Sequence, residues 1–278
     1  MGSEPGMKAA GKGEERFQGG ARSYAAYLET PEGRLRLDLA FANLQEFLPR
    51  PRRSARALDL GGGTGATAIR LARLGFHVTV LDSAPAMLEI AKRAAQKAGV
   101  SAKIMFACRN ATQAAKLFHG RSFDVILCHN LLEYLDRPGQ ILRAAARLLR
   151  GPSAVLSLLV RNQAGEALRA AIQAGDLIAA RRSLTAHWGQ ESLYGGRVRL
   201  FTAEALPALL KSASLTVTAT RGVRVASDYL PSRVSRTAQY RQILALERKL
   251  GSEPRFAAVA RYSQCLVHRT RSLRESGK

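Results

Sequence analysis

The sequence predicts an α/β fold: a doubly wound, mostly parallel, seven-stranded sheet with helices on both faces. Two observations carry this. Short apolar runs alternate with helix-patterned stretches from Arg56 to Val160, the rhythm of βαβ units. A glycine-rich segment, Asp59-Leu60-Gly61-Gly62-Gly63-Thr64-Gly65, also stands between the first run and the first helical stretch. There a parallel strand turns into a helix at the ligand-binding edge of such a sheet.

The elements follow in order. Leu35, Leu39, Phe41, Leu44, Phe47 and Leu48 recur at helical spacing, and Pro49 and Pro51 end that helix. Arg50, Arg52, Arg53 and Arg56 crowd the linker behind it. Residues 56–60 form the first strand and 66–74 a helix closed by Gly75. Residues 77–81 are the second strand. A helix over 84–98 follows, with Ser83 as N-cap, Pro85 in its first turn and Gly99 beyond its end. Strands are expected at 104–108, 123–128 and 154–160, with a helix at 140–149 before the last. Residues 161–200 break the rhythm and are expected to be an insertion over the substrate side of the sheet. Helices at 203–212 and 235–250 and strands at 215–220 and 257–268 complete the pattern. The domain is expected to span 21–270, with a disordered tail over 1–20 and a basic tail over 271–278.

Composition limits the function. The chain has 278 residues, enough for one large domain. No apolar run is long enough to span a bilayer, and the first twenty residues lack the apolar core of a signal peptide. A cytoplasmic protein is the expectation. Three widely spaced cysteines, Cys108, Cys128 and Cys265, suggest neither a disulfide framework nor a metal site. The 43 Lys and Arg against 21 Asp and Glu leave a formal charge of +22. That excess favours polyanionic partners, chiefly nucleic acid, although Arg- and Ala-rich genome composition produces the same excess.

A glycine loop alone does not distinguish a dinucleotide from other ligands. Gly61 and Gly63 let the backbone turn sharply and approach a ligand. Asp59, just before the glycines, would repel a pyrophosphate and suits a cationic ligand such as the aminoacyl end of S-adenosylmethionine. Asp82, at the end of the second strand, is placed to accept both ribose hydroxyls.

These segments, DLGGGTG followed by LDSAPAML, resemble class I S-adenosylmethionine-dependent methyltransferases. The resemblance implies the Rossmann-like fold of those enzymes. PEGRLR at 31–36, LDLGGGTGATAIRLA at 58–72, FDVILCHNLLEYL at 123–135, GVRV and DYL within 222–230, and LALERKLGSEPRFAAVARY at 244–262 are similar to the bacterial tRNA 5-carboxymethoxyuridine methyltransferase family. The similarity runs from about residue 17 to 269. It implies methyl transfer to the carboxylate of 5-carboxymethoxyuridine at the tRNA wobble position, with the anticodon loop as partner and no metal. It also implies that Arg36 reaches the cofactor carboxylate, Gly61 and Gly62 contact the cofactor through backbone, and Asp82 holds the ribose. Ala111 and Thr112 would lie beside the adenine, and His129 near the transferred methyl. Thr112-Gln113 and Tyr134 depart from the family's usual Gln-Asp and Trp.

A carboxylate acceptor is ionised at neutral pH and needs no general base, so the task is positioning and desolvation. An anionic acceptor calls for an arginine fork. Arg161, with Asn162 beside it, follows the fifth strand; Arg199 and Arg224 are further candidates. His129 reads as a wall of the site on the carboxylate reading, and as a base if the acceptor is neutral. Trp188, Tyr194 and Tyr229 are candidate platforms for unstacked bases. Arg50, Arg52, Arg53, Arg233, Arg236 and Arg241 are candidate contacts to the RNA backbone. A small-molecule O- or N-methyltransferase with the same cofactor site is the alternative.

Overall fold

The computed structural model describes residues 12–191, 193 and 195–270. Two helices, α1 (Lys12–Glu29) and α2 (Pro31–Gln45), precede the sheet. Then come β1 (Arg56–Leu60), α3 (Ala66–Arg73), β2 (His77–Asp82), α4 (Pro85–Lys97), β3 (Ile104–Cys108), α5 (Ala114–Leu117), β4 (Val125–His129), α6 (Pro138–Leu148) and β5 (Val155–Arg161). The insertion holds α7 (Gln163–Leu168), a π-helical turn (Arg169–Gln173), α8 (Leu177–Ser183), and the hairpin β6 (Trp188–Gln190) and β7 (Arg197–Arg199). The chain closes with α9 (Ala205–Ser212), β8 (Leu215–Val223), α10 (Tyr240–Ser252), α11 (Pro254–Ala257) and β9 (Tyr262–Arg269).

The main sheet has seven strands in the order β3-β2-β1-β4-β5-β9-β8. Neighbours from β3 through β5 are parallel, and β9 runs antiparallel to both β5 and β8. The order reverses between β1 and β4, so the ligand crevice is expected at their carboxyl ends. Central strands are buried on both faces, and alternate residues feed opposite cores. Leu58, Leu60, Ile126, Cys128, Leu156 and Leu158 pack on one face with Ile141 and Leu142 of α6 and Leu210 of α9. Ala57, Val125, Leu127 and Val155 pack on the other with Leu44 of α2, Leu71 of α3 and Leu88 of α4. A third cluster joins Leu35 and Leu39 of α2 to Leu159, Ile243 and Tyr262.

The structure departs from the expected elements in several places, among them the helix expected at 235–250, which starts at Tyr240. The disordered tail expected over 1–20 gives way to helix from Lys12; Phe17 packs edge-on against Tyr134 at 4.9 Å, a tertiary contact that outweighs local composition. Residues 1–11 of that tail, and the whole basic tail 271–278, lie outside the described residues. Ser83 does not cap α4: the Asp82 carboxylate already accepts from the Ala84 amide. The last strand starts at Tyr262 rather than 257, because Pro254 opens a further helical turn. Among the described residues no helix is long and apolar enough to cross a membrane.

Candidate active site

The carboxyl ends of β1, β2, β4 and β5 frame a cavity of about 510 Å³. Gly61, Gly63, Asp82, Ala111 and His129 line it from the sheet side. Arg16, Phe17 and Tyr24 of α1 close it from above, and Glu191 and Leu193 of the hairpin close its outer side. A small side pocket joins Asp59, Gly61 and Gly62 to Arg36 and His129.

The glycine loop is shaped by its neighbours. Gly61, Gly63 and Gly65 hold φ of +66°, +52° and +71°, the left-handed region that favours glycine. A Cβ on Gly62 would stand 2.8 Å from both the Asp59 carboxyl carbon and Val80. The loop amides are spent internally. The N–H groups of Gly61 and Gly62 both donate to the Leu81 carbonyl, at 2.8 and 3.3 Å. The Gly63 N–H donates to Asp82 Oδ2 at 2.8 Å. A phosphate-binding loop aims such amides at its anion; this one holds itself to β2 and a carboxylate instead. The arrangement does not suit a pyrophosphate.

The carboxylates and cations around the loop are strongly perturbed. Asp82 also accepts from the Ala84 amide at 2.9 Å. Burial raises its pKa, and the amides of Ala84 and Gly63 work against that. Asp59 is pushed up to about 7 by burial and by the Asp82 charge. Arg36 is 5% exposed. Its guanidinium donates to Tyr24 Oη at 2.9 Å and lies 5.1–5.7 Å from the ring centroids of Tyr24, Tyr27 and Tyr262. No carboxylate pairs with it among the described residues. A buried cation that meets only phenols is a seat for an anion.

His129 ends β4, and its Nε2 lies 2.8 Å from Ser157 Oγ. Burial, aided by the Arg36 charge, pushes its pKa down to about 3. The ring is therefore neutral and a very weak base. Tyr262 opens β9 and lines the same cavity. Burial would raise that phenol, but Arg36, Arg161, Arg224 and Arg261 overcome it and hold it at about 8. Glu133 is 2% exposed and its pKa is raised by burial, against hydrogen bonds from Asn130 and the Arg161 amide. Its Oε2 has no hydrogen-bond partner among the described residues.

The structure sorts the expected substrate residues. Arg161 does reach the cavity, but its guanidinium pairs with Glu191 at 2.7 Å and approaches Glu166 at 3.8 Å. Asn162 faces the protein instead: its Nδ2 donates to the carbonyls of Ala258 and Ala260, and its Oδ1 caps α7. Arg224 is buried away from the cavity, paired with Asp228 and Tyr27 Oη. Thr112 turns toward Asn110, whose Oδ1 accepts from its amide and hydroxyl, while Asn110 and Ala111 line the cavity. Arg199 and Trp188 lie on the hairpin, outside the cavity, with the guanidiniums of Arg197 and Arg199 each 4.8 Å from the Trp188 ring centroid. Tyr194 lies outside the described residues. Tyr24, Asn110, Glu133, Glu191 and Tyr262 belong to the cavity wall without having been singled out. Only Glu133, an acid inside an otherwise apolar stretch, offered a local signal.

With this geometry in view, the sequence model of a family described as a methyltransferase domain matches residues 32–220. The chain is 29% identical over 252 residues to the tRNA 5-carboxymethoxyuridine methyltransferase of Escherichia coli K12, covering 87% of this chain and 91% of that one. It is 36% identical over 115 residues to a ubiquinone biosynthesis O-methyltransferase of Xanthomonas euvesicatoria, covering 41% of this chain and 47% of that one. The fold is shared with the CcbJ methyltransferase of Streptomyces caelestis, with TM-score 0.61, 16% identity, and coverage of 92% and 99%.

Proposed function

The chain belongs to the methyltransferase-domain family, and from that premise we propose that it methylates an ionised carboxylate, that of 5-carboxymethoxyuridine at the tRNA wobble position. S-adenosylmethionine is its cofactor and supplies an electrophilic methyl on a sulfonium. The residues present fit it. Arg36 holds the carboxylate of its amino-acid end and Asp59 the ammonium. Asp82, with lone pairs remaining on both oxygens, takes the ribose hydroxyls. Gly61, Gly62 and Gly63 bring the backbone close without a Cβ. Ala111 and Asn110 border the adenine, and Thr112 holds that turn.

The observation that carries the acceptor class is the setting of His129. The half-buried ring has its Nε2 2.8 Å from Ser157 Oγ, and burial lowers its pKa. It reads as a wall of the site rather than the base a neutral acceptor needs, and a carboxylate acceptor needs none. The likeness to the Escherichia coli enzyme along nearly the whole chain supports the tRNA acceptor, as does the charge of +22. Arg161 offers the fork for the acceptor carboxylate, which must displace Glu191 to take it. Trp188, with Arg197 and Arg199 close to its ring, is a platform for an unstacked loop base. A tRNA acceptor places the enzyme in the cytoplasm. The test is transfer of labelled methyl from S-adenosylmethionine to tRNA lacking the ester, followed by nucleoside identification. Label in 5-carboxymethoxyuridine methyl ester supports the reading; label elsewhere, or none, overturns it.

One observation favours a second reading, a small-molecule O-methyltransferase. Glu133 is buried beside the cavity with a raised pKa and a free Oε2, the properties of a general base for a hydroxyl. Glu133→Gln separates the two. With a carboxylate acceptor kcat should change less than about threefold. With a hydroxyl acceptor it should fall by roughly 10²-fold or more.

A further inference from the structure

The opposite end of the sheet carries a second cavity, of about 600 Å³, at the amino ends of β1, β2 and β3. Val78, Ile104 and Phe123 line it alongside Ser54, His77 and Thr79. Arg53, Arg56, Lys103 and Arg121 stand around it, and no carboxylate lines it. All four side chains are exposed, and none forms an ion pair among the described residues. Asp124, the nearby acid of β4's approach, is already taken by Arg150 at 3.0 Å and approached by Arg52 at 3.8 Å. Three buried arginines differ: Arg161, Arg224 and Arg261 are each matched by Glu or Asp, and the buried Arg36 meets phenols at the cofactor pocket. Cations left unmatched around one cleft are a seat for an anion supplied from outside.

We propose that this cleft is a second binding site for RNA, engaging several backbone phosphates remote from the nucleotide being methylated. The proposal rests on the tRNA reading for the identity of the polyanion. At about 600 Å³ the cleft is larger than one phosphate, and its four cations come from the linker before β1, the first residue of β1 and the approaches to β3 and β4. A five-residue strand is roughly 17 Å long. An RNA that inserts a loop nucleotide at the carboxyl ends therefore has its adjoining stem within reach of the amino ends. The cations of the 50–56 linker, placed far from the cavity where the methyl is transferred, thereby acquire a function.

The test uses a fluorescently labelled full-length tRNA transcript and the triple variant Arg56→Gln/Lys103→Gln/Arg121→Gln. Losing three phosphate contacts should flatten the slope of log affinity against log salt by about 2–3, weaken binding at least tenfold near 0.1 M salt, and raise KM for tRNA. S-adenosylmethionine affinity and the melting temperature should stay unchanged, and Arg56→Lys/Arg121→Lys should keep the wild-type slope. A wild-type slope in the triple variant overturns this site while leaving the tRNA reading standing. A wild-type protein with no salt-dependent affinity for tRNA overturns both.

Discussion

Asp59 shows how far a single residue's environment can redirect its chemistry. Its carboxyl sits in a buried side pocket, and with Asp82 nearby its pKa rises to about 7. The sign follows: a pKa raised in the folded state favours the protonated form. That contribution to stability is complete below the ordinary value of 3.8 and is lost as pH rises through about 7. Asp59→Asn should therefore melt higher than wild type at pH 8 and no higher at pH 4, as thermal melts would register. An ammonium beside Asp59 favours its ionised form, so binding S-adenosylmethionine should release a proton below pH 7. Affinity should weaken from pH 7 to 5 in wild type and stay flat in Asp59→Asn; calorimetry in two buffers of different ionisation enthalpy reads this directly. Arg161 presents the reverse case, a cation already neutralised by Glu191. Glu191→Gln should lower KM for an anionic acceptor several-fold while leaving cofactor affinity alone; an increase in KM would show that Glu191 positions the acceptor instead.

Among elements, the pair α1 and α2 decides whether the cofactor pocket exists. Tyr24 and Tyr27 come from α1 and Arg36 from α2, so the anion seat forms only when the helices lie close. Gly33 permits that approach: a Cβ there would stand 2.0 Å from the Tyr27 carbonyl oxygen. Backbone cannot yield as a flexible side chain can. Gly33→Ala should cost about 1–3 kcal/mol of stability and weaken S-adenosylmethionine binding more than a surface substitution of equal cost. Urea melts and calorimetry would check both, and unchanged cofactor affinity would detach this helix pair from the site. The α1 helix was also the least legible element. Its amino-terminal half is glycine- and charge-rich, and the contact that holds it, Phe17 on Tyr134, joins residues far apart in the chain. The insertion shows the same limit: its hairpin supplies Glu191 to Arg161, a pairing between an irregular segment and the end of β5 that no periodicity announces.

Across the whole molecule, burial grades outward from the centre of the sheet. β4 and β5 are buried along nearly their full length, whereas β3 and β8 at the edges alternate with exposed positions. Opening free energies scale with such burial. Amide exchange read by mass spectrometry should be slowest in β1, β4 and β5, faster in β3 and β8, and fastest in α8 and the β6–β7 hairpin. Protection of the hairpin equal to that of β4 would contradict the view that Glu191 can leave Arg161. Charge is distributed by the same whole-molecule logic: the buried Arg161, Arg224 and Arg261 are each matched by an acid, Arg36 is left to phenols at the cofactor pocket, and exposed cations without ion pairs among the described residues rim the opposite cleft.

The alternation of strands and helices from residue 56 onward and the glycine loop were determined by the sequence alone, because period, glycine and proline act over a few residues at a time; the reversal of strand order between β1 and β4 is seen only in the structure. The positions of Asp59, Asp82 and His129 at strand ends followed from that alternation. What only the tertiary structure decided, besides that reversal, is which charges meet. Arg161 finds Glu191, Arg261 finds Glu166, and Asn162 turns to the carbonyls of Ala258 and Ala260. Arg36 alone among these is left with phenols. Electrostatic partners are chosen by proximity in space, and proximity here comes from helices and loops that cross the sheet's edge, beyond the reach of any local pattern.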